Sequence, residues 1–392
     1  MGFIYSTAVS VIVVLQGAAW EFIKKASASN TVLQLTSKEM EDLELDTWIS
    51  RVWTYQEMVN NNNVRFTTIS SADEQVVASY EPLLNCVGYS SERWQKETET
   101  SQSEFLLKFP NLNNLADTLL DARISAYLER SALGVMSNMT ARSFDPKYPG
   151  NRLLASLGAL TQKVSWGSPA TTLSELSEKV MSTCEAANDY SFIYTSDRRD
   201  DRPGLRWRPS PRQAESNDQK PIHLVPVLNW TSYGKPFGET QRGHKDSQGF
   251  WLDNMVRLQP SDSIAAKVEK RLYAWLYSWE NDPVHLEVKA SVGFFGLKER
   301  GKLGLIPAMF KAFEMIGFTG SSKCQVCENG LFFSVGDLDG WQDVELFTAS
   351  SIRWAFGAPG LARRKEGDVI EYFAGVFAGL VDQVAGEPLL MI

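Results

Sequence analysis

Val9-Ser10-Val11-Ile12-Val13-Val14-Leu15 is the longest aliphatic run in a chain of 392 residues. Length decides how it reads. A helix that spans a bilayer needs about 20 apolar residues, and this run is far shorter. No Lys or Arg precedes it and no small-residue cleavage site follows it, so it does not read as a secretory leader. The aliphatic block 11–15, β-branched at all but Leu15, reads instead as a short strand buried on both faces, the pattern of a parallel sheet.

Outward from that strand, the first 70 residues read as helical turn, strand, loop and helix. Residues 27–37 are polar and loop-like, and carboxylates gather over 39–44. Trp48, Val52, Tyr55 and Val59 share a helical spacing that predicts one helix over 48–59. Four consecutive Asn, residues 60–63, end it. The polar stretch 90–103 reads as a surface loop. Leu112, Leu115, Leu119, Ala122, Ala126 and Leu133 predict one long helix. Residues 145–150 have turn composition, and Leu153, Leu154, Leu157 and Leu160 a helical spacing. Thr171 or Thr172 caps a further helix carrying Leu173, Leu176, Val180 and Cys184. Residues 190–195 look like a strand.

The arginine-rich stretch 198–212 marks a domain boundary by composition, and the chain changes character beyond it. Strands are expected over 222–230, 331–335 and 369–377, and a Gly-rich loop over 232–250. Helices are expected over 261–279 and over 303–316, the second stopped by Gly317. The seam Ile264, Val268, Leu272, Trp275 and Trp279 suits a core or a dimer face. No period of 20–50 residues repeats, which removes solenoids and propellers. The class is mixed α/β and α+β, with stretches 1–70, 71–197 (mainly helical) and 198–392 (a helix-rich α+β region).

Composition bounds the chemistry. Hydrophobic residues at 43% and charged residues at 22% are globular values, which exclude disordered, collagenous and coiled-coil classes. The net charge of −8 opposes nucleic acid as a general partner, because phosphate binding needs a positive field. Only His223, His244 and His285 are present, and the four cysteines fit a reducing compartment rather than a disulfide scaffold. Cys324 and Cys327 form one CxxC without a second pair or a nearby His, so they read as two thiols in a turn and no metal site is expected. Residues 238–246 contain G-x4-G but place His244 where a phosphate loop needs Lys, and fail as such a loop.

Two clusters carry candidate chemistry. Residues 48–57 hold Trp48, Arg51, Trp53, Thr54, Gln56 and Glu57. On a helix, Glu57 would lie beside Trp53 as a buried carboxylate suited to a site; the plainer reading is an aromatic-anchored core helix. Arg206, Trp207 and Arg208 form the second cluster. Guanidinium groups stack on indole within a fold, and a phosphate or nucleic-acid role is the alternative, with Asp197, Asp200 and Asp201 offsetting much of the charge.

The opening residues 1–15, with Ile4-Tyr5, Ala8 and Val11 to Leu15, resemble the M-x-x-I-Y-x-x-A-x-x-V-I-V-x-L block of fungal heterokaryon-incompatibility (HET) domains. Trp48, Arg51, Trp53, Thr54, Gln56 and Glu57 match that family's closing block, W-x-x-R-x-W-T-x-Q-E. Asp145-Pro146 and Arg152 to Gly158 are similar to its downstream D-P-R-D-K-V-Y-A-L-L-G-L segment, with an insertion and with Leu154 in place of Tyr. The family's earlier L-S-Y-x-W-G and W-I-D-x-x-C-I-x-Q blocks have no counterpart, so the chain is expected to start inside the domain.

The resemblance implies a fungal, cytoplasmic protein of non-self recognition and regulated cell death, with a protein partner. It implies a flavodoxin-like fold of the Toll/interleukin-receptor (TIR) type, with residues 11–15 as a central strand. Some TIR relatives hydrolyse NAD with a Glu near the nicotinamide ribose. On that analogy Glu57 would be the catalytic carboxylate and NAD the substrate. A relative with the fold kept and the activity lost is the third reading.

Overall fold

The computed structural model of the chain describes residues 2–28, 34–68, 76–100, 105, 108–124, 131–140, 142–145, 147–161, 172–196, 198–211, 224–227, 240–278, 305, 309, 324–336, 344–352, 357–366, 369–381 and 386–391. They show mixed helix and sheet. The chain divides into two compact units, Met1–Arg130 with Asn138–Thr171, and Ser131–Ser137 with Thr172–Ile392. Residue 70 lies inside the first unit and residue 198 inside the second, so neither sequence-derived boundary coincides with this division. The reason at residue 198 is packing: Trp207 and Arg208, in the stretch read as a boundary, are buried.

The first unit opens with α1 (Gly2–Thr7), β1 (Val11–Leu15), α2 (Trp20–Ser27), α3 (Ser37–Glu44), α4 (Thr47–Ser50) and α5 (Thr54–Val59). It continues through β2 (Val64–Thr68), β3 (Ala78–Ser79), α6 (Tyr80–Thr98) and α7 (Pro110–Ile124). Helix α8 (Ala132–Thr140) crosses the division, and α9 (Asn151–Leu160) closes the unit. β1 pairs parallel with β2, Val11 opposite Val64 through Leu15 opposite Thr68, and β3 adds antiparallel. A parallel pair needs a long crossover, here the segment carrying α2 to α5.

Val11, Val13, Leu15, Val64 and Phe66 join Phe22 and Ile23 of α2 and Leu83, Val87 and Trp94 of α6 in one core. The strand expected to be buried on both faces is buried on one: Ile12 and Val14 are 62% and 46% exposed. It is also the edge of the order β1-β2-β3 rather than its centre. The helices that pack on this sheet meet the side of Val11, Val13 and Leu15, and strand alternation turns Ile12 and Val14 outward.

Local signals held where a side chain could close a helix end. Thr36 and Glu39 make a reciprocal cap for α3, Thr172 and Glu175 the same for α10 (Leu173–Ala186), and Asn60 ends α5. Glu44 accepts from the Asn111 and Leu112 amides at the start of α7, at 2.9 and 2.8 Å. Four expectations gave way. The 48–59 helix is two, broken at Arg51, whose ψ of 141° is extended. The 90–103 loop is helix α6 as far as Thr98, since Ser90, Ser91 and Trp94 continue the buried stripe of Leu83, Cys86 and Val87. The 112–133 helix is not continuous: α7 is described as far as Ile124, Ser131 is not helical, and Leu133 belongs to α8. Residues 191–194 form a 3-10 turn rather than a strand, because Asp189 accepts from the Ser191 and Ala132 amides at 2.9 and 2.6 Å.

The second unit holds one antiparallel sheet of eight strands. They are β4 (Gly243–Lys245), β5 (Phe250–Leu258), β6 (Cys324–Cys327), β7 (Gly330–Ser334), β8 (Val344–Ala349), β9 (Gly357–Glu366), β10 (Val369–Gly379) and β11 (Glu387–Met391). Its order is β11-β5-β8-β9-β10-β7-β6, with β4 also on β5. The region expected to be helix-rich is organised by this sheet in its described residues. Gly360 and Gly375 face each other across β9 and β10. A Cβ on either would fall 2.7 or 2.5 Å from the Phe332 ring, so the pair makes room for it. Helix α11 (Ala266–Ser278) is shorter than the predicted 261–279, and its seam residues Val268 and Leu272, with Ile264 just before it, are buried as core. Trp279 and most of 303–316 lie outside the described residues, Leu305 and Met309 being helical. Of 222–230, residues 224–227 are described, and Pro226 makes a single bridge with Thr195.

Candidate functional site

The break in the 48–59 helix opens a polar cluster in the first unit. Asp46 caps α4 by accepting from the Trp48 amide at 2.8 Å, and its second oxygen accepts from the Gln16 amide at 2.7 Å, which ties the end of β1 to this point. At Arg51 the chain leaves the helix. Arg51 bridges Ser143, the Val52 amide donates to the Ser143 carbonyl at 3.0 Å, and the Ser143 amide returns a bond to Ser50 at 2.9 Å. Thr54 restarts the helix with its hydroxyl on the Arg51 carbonyl at 2.7 Å. Trp48 and Glu57 then meet although nine positions separate them.

Glu57 is half-buried and both its oxygens accept. The Tyr5 hydroxyl donates to Oε1 at 3.2 Å and the Trp48 indole N–H to Oε2 at 2.9 Å. Burial first, then the Glu57 charge and its hydrogen bond, push the Tyr5 phenol up to about 12, so Tyr5 stays the donor. Trp48 packs edge-on against Phe66 with ring centres 5.9 Å apart. The Asn run holds the same region. Asn61 donates to the Tyr5 and Ala8 carbonyls at 2.7 and 2.8 Å, and Asn60 to the Gly158 carbonyl at 2.7 Å.

Gly158 of α9 presses on the closing block. A Cβ there would stand 1.6 Å from Gln56 Oε1, so only glycine permits the approach. Gln56 is fully buried and its side-chain amide has no hydrogen-bond partner among the described residues. Arg142, also buried, donates to the Ile49 carbonyl and the Thr54 hydroxyl at 2.9 Å each, to the Asn114 carbonyl at 2.9 Å and to the Thr118 hydroxyl. Its guanidinium lies 5.9 Å from the Tyr55 ring centre. Of the six closing-block residues, Trp48, Thr54, Gln56 and Glu57 thus have their side chains engaged inside the unit. Trp53 is half-buried at the start of α5, and Arg51 is exposed.

The second cluster is built into the other unit. Trp207 is buried 4.3 Å from the Phe250 ring centre and 6.0 Å from that of Tyr190, and its indole N–H donates to the Gly204 carbonyl at 3.1 Å. It stacks on aromatic rings, not on its Arg neighbours. Arg208 is buried against Glu185 and Glu178 of α10, both at 2.7 Å, while Arg206 is half-buried. Trp207 and Arg208 are therefore engaged internally rather than presented to a ligand. Cys324 and Cys327 lie on strand β6, not in a turn. Positions i and i+3 of a strand point to opposite faces about 10 Å apart, beyond disulfide reach. Burial pushes both thiols up to about 12, so they are protonated at neutral pH. No group of three His, Cys, Asp or Glu poised for a metal occurs among the described residues. Gly243, His244 and Lys245 of the phosphate-loop-like segment form β4.

One cleft, of about 350 Å³, lies on the large sheet among Met255, Arg257, Glu345, Phe347, Arg363 and Leu389. Arg257 reaches Glu345 at 3.0 Å, Arg363 pairs with the other oxygen of Glu345, and the Arg363 guanidinium sits 5.3 Å from the Phe347 ring centre. With Glu387 on its wall, the charges balance and the cleft offers no net field to an anion. Sequence reasoning missed it because its parts come from four separate strands. No helix among the described residues is long and apolar enough to cross a membrane. No protein-family model, no curated protein and no solved structure matches the chain.

Proposed function

We propose that this chain is a heterokaryon-incompatibility-type protein of fungal non-self recognition and regulated cell death, which acts in the cytoplasm by binding a protein partner. One observation carries the reading. Tyr5 of the opening block and Trp48 of the closing block converge on the two oxygens of Glu57. The two blocks that carry the resemblance thus meet at one carboxylate. Gly158 of the third segment touches Gln56 beside it. A flavodoxin- or TIR-like frame for the first unit belongs to the same proposal, and the parallel β1–β2 pair with α2 and α6 on one face supports it.

Interaction is favoured over catalysis by the same bonds. A carboxylate that stabilises an oxocarbenium-like centre or takes a proton must turn a lone pair to the substrate, whereas each Glu57 oxygen is tied to the fold by one donor, Tyr5 on Oε1 and Trp48 on Oε2, which favours a structural role. Incubation of the full-length chain with NAD is expected to leave NAD constant. Consumption of NAD that Glu57→Gln abolishes would replace this reading with the NAD hydrolase. Expression in a filamentous fungus is expected to arrest growth, and normal growth at full expression would overturn the cell-death role.

A further inference from the structure

A bulge shapes the cleft on the large sheet. Met255 lies opposite Glu387 and Leu252 opposite Leu389, so three steps along β5 match two along β11. Asn254 takes up the extra residue at a φ of 56°, a conformation that Asn tolerates. Gly386 lets the strands close there, since a Cβ on it would fall 2.4 Å from the Asn254 carbonyl carbon. Past the bulge the register is regular. Arg257 lies opposite Phe347 of β8, and Glu345, two positions before Phe347, lies opposite Arg363 of β9. Directly opposed residues share a face, as do residues two apart on one strand. Arg257, Glu345, Arg363 and Glu387 therefore stand on one face, although they come from four strands.

These four charges are not equally occupied. Arg363 donates from Nε to Glu345 at 2.8 Å and from a terminal nitrogen to the Leu390 carbonyl at 3.3 Å, with Phe347 under its plane. Glu345 holds Arg363 on one oxygen and Arg257 on the other. Arg257 makes that one contact among the described residues, at 3.0 Å, and its side chain is 59% exposed, which leaves most of its five donors open. Glu387 is exposed and makes no ion pair or hydrogen bond among the described residues. The two charges with capacity to spare, Arg257 and Glu387, are diagonal neighbours across the strand pair, a relation that sets residues about 7–8 Å apart. Apolar wall between and beside them comes from Met255, Phe347 and Leu389.

We infer that this cleft binds a free α-amino acid with an apolar side chain. Such a molecule carries a carboxylate and an ammonium on one carbon. The carboxylate meets the open donors of Arg257, the ammonium meets Glu387, and the side chain lies along the apolar wall. A cleft whose charges balance suits a ligand whose charges balance: a plain anion would gain from Arg257 and be opposed by Glu387, and a plain cation the reverse. The volume of about 350 Å³ falls at the small end of the about 300–1,000 Å³ found for small-molecule sites. Both anchoring charges are exposed, so the affinity is modest, with a dissociation constant in the millimolar range or just below, and it falls as salt is added. This inference stands independently of the proposed function.

Titration of the full-length chain with L-leucine, followed by saturation-transfer NMR, tests it. Saturable binding is expected. Isocaproate, which is leucine without its ammonium, and isoamylamine, which is leucine without its carboxylate, are each expected to bind at least about tenfold more weakly. Those three probes need no altered protein. Glu387→Gln is expected to weaken leucine at least about tenfold and isocaproate not at all; Arg257→Gln is expected to weaken leucine equally and isoamylamine not at all. Glu21→Gln, at an exposed carboxylate of the first unit, is expected to leave leucine binding unchanged. No saturable binding of leucine up to tens of millimolar, an analogue that binds as tightly as leucine, or leucine binding that survives Glu387→Gln or Arg257→Gln would overturn the inference.

Discussion

Two tryptophans, one in each unit, show how differently the same sequence pattern can be used. Trp48 and Trp207 each stand among charged neighbours in the chain, yet one is held by a carboxylate and the other by aromatic rings. In the first unit the indole N–H reaches Glu57 at a half-buried joint between short helices. In the second, the indole is fully buried against Phe250 and Tyr190, and the nearby charge, Arg208, turns away to two glutamates of α10. The first is a polar joint whose members bond across the chain. The second is an aromatic core with a charge clamp beside it, and these should fail in different ways.

The largest expected effect is Trp207→Ala, which empties a packed aromatic site and should cost about 3–5 kcal/mol. Denaturant unfolding of the full chain, followed through signals from each unit, measures it. A loss below about 1 kcal/mol would mean that the cluster is loosely packed. Arg142→Met tests the first unit in the same way. It strips four acceptors of a buried donor and should cost about 2–4 kcal/mol, with the loss confined to the transition that reports on the first unit.

Alkaline titration separates the two regions further. Because the Tyr5 phenol is raised from 10.0 to about 12 in the folded chain, the stability it contributes is complete below pH 10 and is lost as pH rises towards 12. Unfolding measured across that window should fall for the native chain and fall less steeply in Tyr5→Phe, where Tyr190 and Tyr194, also raised by burial, keep part of the slope; an identical slope in both would remove Tyr5 from the joint. The smallest effect is expected at Gln56. Its buried amide lacks a partner among the described residues, so Gln56→Met should leave the unit as stable or add up to about 1 kcal/mol. A loss above that size would reveal a bond that Gln56 makes.

Much of the secondary structure was legible because its signals are local. Thr172 three positions before Glu175, the Leu spacing of α9 and the apolar runs of β1, β7 and β10 each state their element within a few residues. The misreadings share one cause. Residues 90–98 look like a loop because Trp94 is the one large apolar side chain in a stretch whose buried stripe otherwise uses Ser90 and Ser91. The 48–59 spacing suits one helix, but a bridge to Ser143 breaks it. The site was legible as a set of residues and not as a joint: Tyr5, Trp48 and Glu57 were singled out, Asn61 stood only in a run read as a helix end and Gly158 only in a separate resembling segment, and Arg142 carries no local mark.

By itself, then, the chain's order of residues determined which segments could be strands and helices and where caps would end them. Tertiary structure alone decided that β1 is an edge with one bare face, that the closing block folds as two helices, and that Glu57 is shared by Tyr5 and Trp48. The physical reason is range. Caps and apolar periodicity act over three or four residues, while burial, strand order and the partner of a carboxylate depend on groups tens of positions away that meet after the chain has packed.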